Sequence, residues 1–388
     1  MSAQPDPSDS AFLSPSSSLP GESPDPHPLA RYGWDAGRDA EFAPHAAKGL
    51  VPGRVTRVDR GLCDVLVPAA DEAGTVAVRA DTSLVTPRDP MRIVCTGDWA
   101  AVDPAGEQPI VRARLPRRTA FVRSGSSKRS DAQVLAANVD HAVIAVSLAV
   151  ELDLARVERF LALAWESGAQ PLVALTKSDL VPDAAGVAHL VADTEASAPG
   201  VLVLPVSATT GDGIDALAAA VGTGTTVLLG QSGAGKSTLA NALVGEDVQR
   251  VQATRDTDAK GRHTTTTRTM LPLPGGGVLI DTPGLRGVGL FDADTGVAQV
   301  FAEIESLAEE CRFHDCGHGV EPGCAVRDAV ENGTLAQRRL ESFRKLQREN
   351  QWIAARTDAR LRAEIRRDWK QKQATGRHMM ERKRGKHM

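Results

Sequence analysis

The sequence predicts an α/β fold in three parts: a small all-β barrel of OB-like type, a P-loop domain whose motifs run in permuted order, and a zinc-binding helical domain. Three observations carry this. Short β-type runs broken by Gly, Pro and Asp fill residues 47–115. From "HAVIAVSLA" to "GGVLIDTPGL", apolar strands alternate with helical stretches, which implies a parallel sheet covered on both faces. Last, "CRFHDCGHGVEPGCAV" clusters three of the five cysteines with histidines. A chain of 388 residues is too long for one core, and 42% apolar with 24% charged residues is ordinary for a soluble protein. The expected boundaries are 1–45, 46–116, 117–290 and 291–388.

Residues 1–45 are Pro- and Ser-rich and mildly acidic, and are expected to be disordered because they bury too little apolar surface to offset the entropy of ordering. They lack a basic region followed by an apolar one, and no apolar run of about 18 residues could span a bilayer, so a cytoplasmic protein without membrane contact is expected. In the barrel region "GRVTRVD", "CDVLVPA", "TVAVRA", "MRIVC", "DWAAVD" and "IVRARL" read as strands. Trp99 is the only aromatic residue there, so any RNA contact would use backbone charge and shape rather than stacking. After the basic linker "RRTAFVRSGSSKRSDAQ", the runs Ala142–Val146, Leu172–Leu175 and Thr226–Leu229 are nearly uninterrupted, as strands buried on both faces should be.

Ligands bind such sheets at the carboxyl ends of the strands, and the motifs fall there. "GQSGAGKST" fits the phosphate-loop pattern: Gly230, Gln231, Ser232, Gly233, Ala234 and Gly235 let backbone N–H groups face phosphates, Lys236 adds a point charge, Ser237 would ligate Mg²⁺ and Thr238 is expected to join them in binding the nucleotide. "DTPG" follows the strand "GGVLI", placing Asp281 as a second Mg²⁺ carboxylate and Gly284 with its N–H toward a γ-phosphate. In Thr176, Lys177, Ser178 and Asp179, the Asp179 carboxylate can accept two hydrogen bonds from guanine, whereas adenine offers no such pair of donors; GTP is therefore the expected nucleotide. Lys177 would lie along base and loop, and Ser207 and Ala208 in "VSA" would offer N–H groups to the guanine oxygen. The base-reading motif precedes the phosphate loop, the reverse of the usual order.

With the order "TKSD", "VSA", "GQSGAGKST", "GRHTTTT", "DTPG", the chain resembles the RsgA/YjeQ family of circularly permuted GTPases. "LPRRTAFVR" and "QVLAANVD" are also similar to that family, and the likeness runs from about residue 47 to at least 330. It implies a circularly permuted GTPase domain and a GTP hydrolase that binds the small ribosomal subunit and its rRNA as a late assembly factor, expected to act as a monomer. Subunit-stimulated hydrolysis of GTP to GDP would be coupled to release. The rival readings are a GTP-dependent RNA-binding scaffold without turnover, and a P-loop kinase, which has no need of "TKSD".

Cys311, Cys316, His318 and Cys324, spaced C-x₄-C-x-H-x₅-C, make a closed tetrahedral zinc site with no open position. His314 could compete, and the family spacing favours His318. One structural zinc per chain is expected, and Cys63 and Cys95 are left to core packing. From Leu335 to Met388, 17 Lys/Arg oppose 6 Asp/Glu on a helical pattern including Leu361, Ile365 and Trp369, which suits either a solvated face or a phosphate-contacting arm. Leu285 stands where many GTPases carry the water-orienting glutamine. His263, beside Thr264–Thr267, is the candidate catalytic group, and Thr265 is the favoured switch ligand to Mg²⁺.

Overall fold

A computed structural model describes residues 27–71, 74–85, 89–123, 133–245, 268–281 and 293–357, with 363 and 367 in addition. Strands β1 (Val51–Val58), β2 (Leu62–Pro68), β3 (Thr75–Asp81), β4 (Trp99–Asp103) and β5 (Ile110–Arg114) close into a barrel in the order β1-β2-β3-β5-β4. All pairs are antiparallel except β3 with β5, which gives the OB-type closure. The expected strand "MRIVC" is not one. Pro90 opens a short 3₁₀ turn capped by Asp89, and the Arg117 guanidinium takes the Met91 and Ile93 carbonyls that a neighbouring strand would otherwise have met.

After the ribbon β6 (Ala120–Arg123) and β7 (Gln133–Ala137) comes a six-stranded sheet of β8 (His141–Ser147), β9 (Gln170–Thr176), β10 (Leu202–Val206), β11 (Thr225–Leu229), β12 (Thr269–Pro272) and β13 (Val278–Asp281). Its order is β10-β9-β8-β11-β13-β12, parallel except for the edge strand β12. The strands read as continuous apolar runs because both faces are covered. Ala142, Ile144, Val173, Leu175, Val227 and Ile280 enter one core, and Val143, Ala145, Leu172, Ala174, Leu228 and Leu279 the other. Helices α4 (Ile214–Val221) and α5 (Lys236–Val244) line the second core, while α2 (Leu154–Ser167) lies on the first, beside α3 (Ala184–Ser197).

Helices α6 (Asp294–Val300), α7 (Ala302–Glu309), α8 (Ala325–Glu331) and α9 (Gln337–Thr357) share that first core. α6 crosses α2 so closely that a Cβ on Gly296 would stand 2.1 Å from the Ala162 carbonyl oxygen. The Arg339 guanidinium donates to Glu158 Oε1 at 2.9 Å, to Glu303 and to the Val300 carbonyl, and stacks on Phe301. Glu158 is fully buried and also receives Arg338, so these two members of the basic tail serve the fold rather than an RNA phosphate. Residues 361, 365 and 369 of that tail lie outside the described residues. Among the described residues no helix is long and apolar enough to cross a membrane.

The expectation of disorder over residues 1–45 fails from residue 27 onward, and 1–26 lie outside the described residues. Leu29, Trp34 and Phe42 of the N-terminal stretch are buried with Trp99, Ala101 and Leu115, and α1 (Ala36–Ala46) starts at the N-cap Asp35. Average polarity masked these few large side chains, which together bury enough surface to order the segment. Beneath them Arg54, 1% exposed, lies 4.5 Å over the Trp99 ring and donates to the Asn138 carbonyl and to Thr225 Oγ1, tying barrel to sheet. The Asn138 side chain accepts from Arg38 and from the Arg118 N–H and donates to the Gly97 carbonyl.

Asp35 links these parts at the surface, accepting the Arg38 N–H at 2.9 Å and pairing with Arg118. The Arg118 guanidinium holds its carboxyl down to about 2, against an ordinary 3.8. Because the folded pKa is the lower one, the stabilisation is complete above about 3.8 and is lost as pH falls through about 2. Proteolytic cleavage within α1 should therefore accelerate between about pH 4 and about pH 2. Asp35→Asn should be more readily cleaved at neutral pH and respond less to acid; equal rates at pH 7 would remove Asp35 from the docking.

Candidate nucleotide site and metal centre

The chain runs β8, β9, β10 outward in one direction, then returns to lay β11 on the other side of β8 and continue to β13. The carboxyl end of β8–β11 is therefore the point where strand order reverses, and the loops on either side part to leave a crevice. Four expected segments end there: β9 delivers Thr176–Asp179, β10 delivers Ser207 and Ala208, β11 opens the phosphate loop, and β13 ends on Asp281. Val227 pairs in parallel with Ile280, so Asp281 stands beside the strand end that enters the loop.

Gly230 turns the chain out of β11 against β8, and a Cβ there would meet the Ala145 carbonyl oxygen at 2.4 Å. Gly235, at φ 82°, is the N-cap of α5 and directs the helix's first N–H groups into the loop. Lys236 Nζ donates to the Gly230 carbonyl at 2.8 Å and to that of Gln231, so its ammonium lies inside the curl of the loop. Ser237 follows on the first turn of α5.

The segment Thr176–Asp179 is stapled to this loop. Thr176, 4% exposed, donates its hydroxyl to the Ala234 carbonyl at 2.8 Å, and Lys177 Nζ donates to the Gly233 carbonyl at 2.9 Å across 56 positions of sequence. Lys177 has a left-handed backbone, φ 60°, which starts the 3₁₀ turn Ser178–Leu180 and leaves Asp179 exposed. One detail differs from expectation. The Ser207 N–H, expected to face a base oxygen, donates instead to the Asp212 carbonyl at 2.9 Å, closing the loop 207–212 on itself.

A cavity of about 230 Å³ opens where Gln231–Ala234, Lys177 and the end of β8 face the first turn of α2. Arg156 stands on its wall, paired with the N-cap Asp153 at 3.3 Å. Sequence reasoning missed this wall, and also missed that Thr176 is a structural fastener; an Asp three residues ahead of an Arg at a helix start was the available signal. His263, Thr265, Gly284 and Leu285 lie outside the described residues.

Cys311, Cys316, His318 and Cys324 converge, each offering an atom within 4.8 Å of the others. Cys311 Sγ and Cys324 Sγ are 3.9 Å apart, and each is 3.6 Å from His318 Nδ1. Metal–sulfur bonds of about 2.3 Å and metal–nitrogen bonds of about 2.0–2.1 Å give tetrahedral edges of about 3.8 and about 3.6 Å, so these three donors stand at the spacing of three corners of a tetrahedral site. The left-handed backbone of His318, φ 55°, aims the ring inward, and Arg344 of α9 donates to its carbonyl oxygen. His314 is not part of the cluster.

A family model for the RsgA GTPase matches residues 114–291. The chain is 69% identical over 370 residues to the small ribosomal subunit biogenesis GTPase RsgA of Streptomyces avermitilis, covering 95% of this chain and 98% of that protein. It is 43% identical over 354 residues to the protein of the same name from Opitutus terrae, covering 88% and 95%. Among solved structures, YjeQ from Thermotoga maritima aligns with a TM-score of 0.57 at 25% identity, over 78% of this chain and 98% of that one. The circularly permuted GTPase YloQ aligns with the same TM-score at 22% identity, over 78% and 95%, a likeness of fold. With its "TKSD" segment fastened to a phosphate loop that follows it in sequence, and with relatives this similar over nearly its whole length, the chain belongs to the RsgA GTPase family.

Proposed function

We propose that this chain binds GTP with Mg²⁺, docks on the small ribosomal subunit through rRNA during late assembly, and leaves when GTP is hydrolysed. The observation that carries the reading is the Lys177–Gly233 bond with its neighbour Thr176–Ala234, which joins the guanine reader to the phosphate cradle. Asp179 accepts from the base, the Ala208 N–H faces its oxygen, the N–H groups of Gln231–Thr238 hold the phosphates, and Lys236 exchanges its loop carbonyls for phosphate oxygens when nucleotide enters. Ser237, Thr265 and Asp281 would hold Mg²⁺, which would supply positive charge beside the phosphates. The Gly284 N–H meets the γ-phosphate. The protein acts in the cytoplasm as a monomer, with zinc on Cys311, Cys316, His318 and Cys324 as a structural tie.

With Leu285 in the glutamine position, no polar side chain there orients water, so intrinsic hydrolysis is slow and His263 supplies the proton acceptor once the subunit is bound. Purified small subunits should accelerate GTP turnover strongly, with no ATP turnover under the same conditions. His263→Ala should lower the stimulated rate by roughly 10²–10⁴-fold with GTP affinity retained. Stimulation equal to wild type at saturating subunits would show that the histidine is not catalytic, and a wild-type protein indifferent to subunits would defeat the functional reading.

Zinc content gives a separate check, since the cluster lies apart from the nucleotide loops. One zinc per chain is expected, and Cys316→Ser should lose it and unfold the region around α8 while GDP still binds. Stoichiometric zinc in that variant would overturn the ligand assignment.

A further inference from the structure

Cys316, His318 and Cys324, three of the four converging donors, lie on a stretch with no helix or strand to hold it. Its shape is set by single contacts. From α9, Arg344 donates to the His318 carbonyl oxygen. From within, the Glu321 side chain folds back over its own loop, where Oε1 accepts the Gly317 N–H at 3.3 Å. The carboxylate lies close along two glycines: a Cβ on Gly317 would stand 3.3 Å from Oε1, and one on Gly319 would stand 3.3 Å from Oε2. Between these glycines is His318, whose left-handed backbone, φ 55°, is uncommon for a residue with a side chain, and whose N–H donates to Cys316 Sγ at 3.4 Å. One carboxylate therefore lies against the chain on both sides of a metal-ligating histidine.

Charge does not draw Glu321 to this place. Three thiolates and a neutral imidazole around a divalent ion make an anionic centre, which opposes a carboxylate nearby. Backbone donors favour it instead: its own N–H and those of Gly319, Gly317 and Val320 hold the carboxyl below its ordinary value of 4.5. Glu321 is not itself one of the four converging donors. We propose that Glu321 is a positioning residue for the metal centre, its carboxylate seating the turn 317–320 so that the His318 ring faces Cys311 and Cys324. The proposal rests on the four-ligand assignment given above. Loss of metal from a closed site starts with one ligand swinging away, and the seat resists that movement at His318.

The test is the rate at which the zinc-loaded full chain passes its metal to a chromophoric chelator, with GDP binding as the check that the nucleotide domain is folded. Glu321→Ala should release zinc about 10- to 100-fold faster, the range for groups that orient a ligand without bonding the metal. Glu321→Gln keeps the reach and an acceptor oxygen and should stay within about threefold of wild type. Glu321→Asp keeps the charge, loses the reach and should release zinc as fast as the alanine variant. A general loss of stability would not sort the variants by reach, and the Gln and Asp pair decides the matter even where Glu321→Ala does not fold. With cobalt in place of zinc, the visible ligand-field bands of the variants should match those of wild type, since Glu321 does not bond the metal. Release from Glu321→Ala at the wild-type rate, retention by Glu321→Asp with loss from Glu321→Gln, or shifted cobalt bands overturns the proposal and leaves the four ligands standing. Wild-type protein that holds no zinc overturns the ligand assignment, and the proposal with it.

Discussion

Everything functional in this chain depends on the adjacency of β8 and β11, two strands far apart in sequence whose parallel pairing aligns Val227 with Ala142 and Leu229 with Ile144. That pairing makes the sheet reverse direction at its carboxyl edge, and the crevice so formed is where a nucleotide can lie across the loops. Once β11 is beside β8, the loop after β9 is near enough for Thr176 and Lys177 to bond the phosphate loop directly. Chain order does not enter into this. A segment upstream of the phosphate loop can meet it as closely as one downstream, provided the same strands are neighbours.

Permutation matters instead at the ends of the domain. The barrel is bolted to the amino edge of the sheet by Arg54 and Asn138, opposite the nucleotide loops, and so leaves the crevice accessible. Trp99, which alone in the barrel strands could have stacked on a base, is covered by Trp34 and Arg54. The helical region that follows Asp281 folds back onto α2 and is clamped there by Arg339, which shares the buried Glu158 with Arg338 and also pairs with Glu303. On its other flank α9 is tied to the Cys/His loop by Arg344, which donates to the His318 carbonyl. Nucleotide loops, metal loop and basic surface are thus parts of one packed body rather than beads on a chain.

Much of this was legible in the residues. Strands buried on both faces announce themselves as unbroken apolar runs, as Ala142–Val146 does, and Cys and His at metal-ligand spacing leave few alternatives. What was not legible shares a cause: it depends on single side chains meeting distant ones. Trp34 and Phe42 order residues 27–46 once Trp99 and Leu115 are there to receive them, a stretch with two prolines and no serine, whereas the Pro- and Ser-rich composition that reads as disordered belongs to 1–26, outside the described residues. "MRIVC" has a strand's composition and lacks a strand's neighbour, since Arg117 takes its carbonyls. Arg338 and Arg339 look like surface charge until Glu158 is found buried beneath them.

The central claim is that Asp179, upstream of the phosphate loop, reads the base of the nucleotide that the loop holds. It is tested most directly by comparing the affinities of wild type and Asp179→Asn for GTP and for xanthosine triphosphate. An amide at this position can donate to the carbonyl that replaces the guanine amine, so preference should invert toward xanthosine triphosphate, while the phosphate contacts of Lys236 and Ser237 are retained. If Asp179→Asn keeps the wild-type preference for GTP, the base is read elsewhere, and the fastening of "TKSD" to the phosphate loop has only a structural meaning.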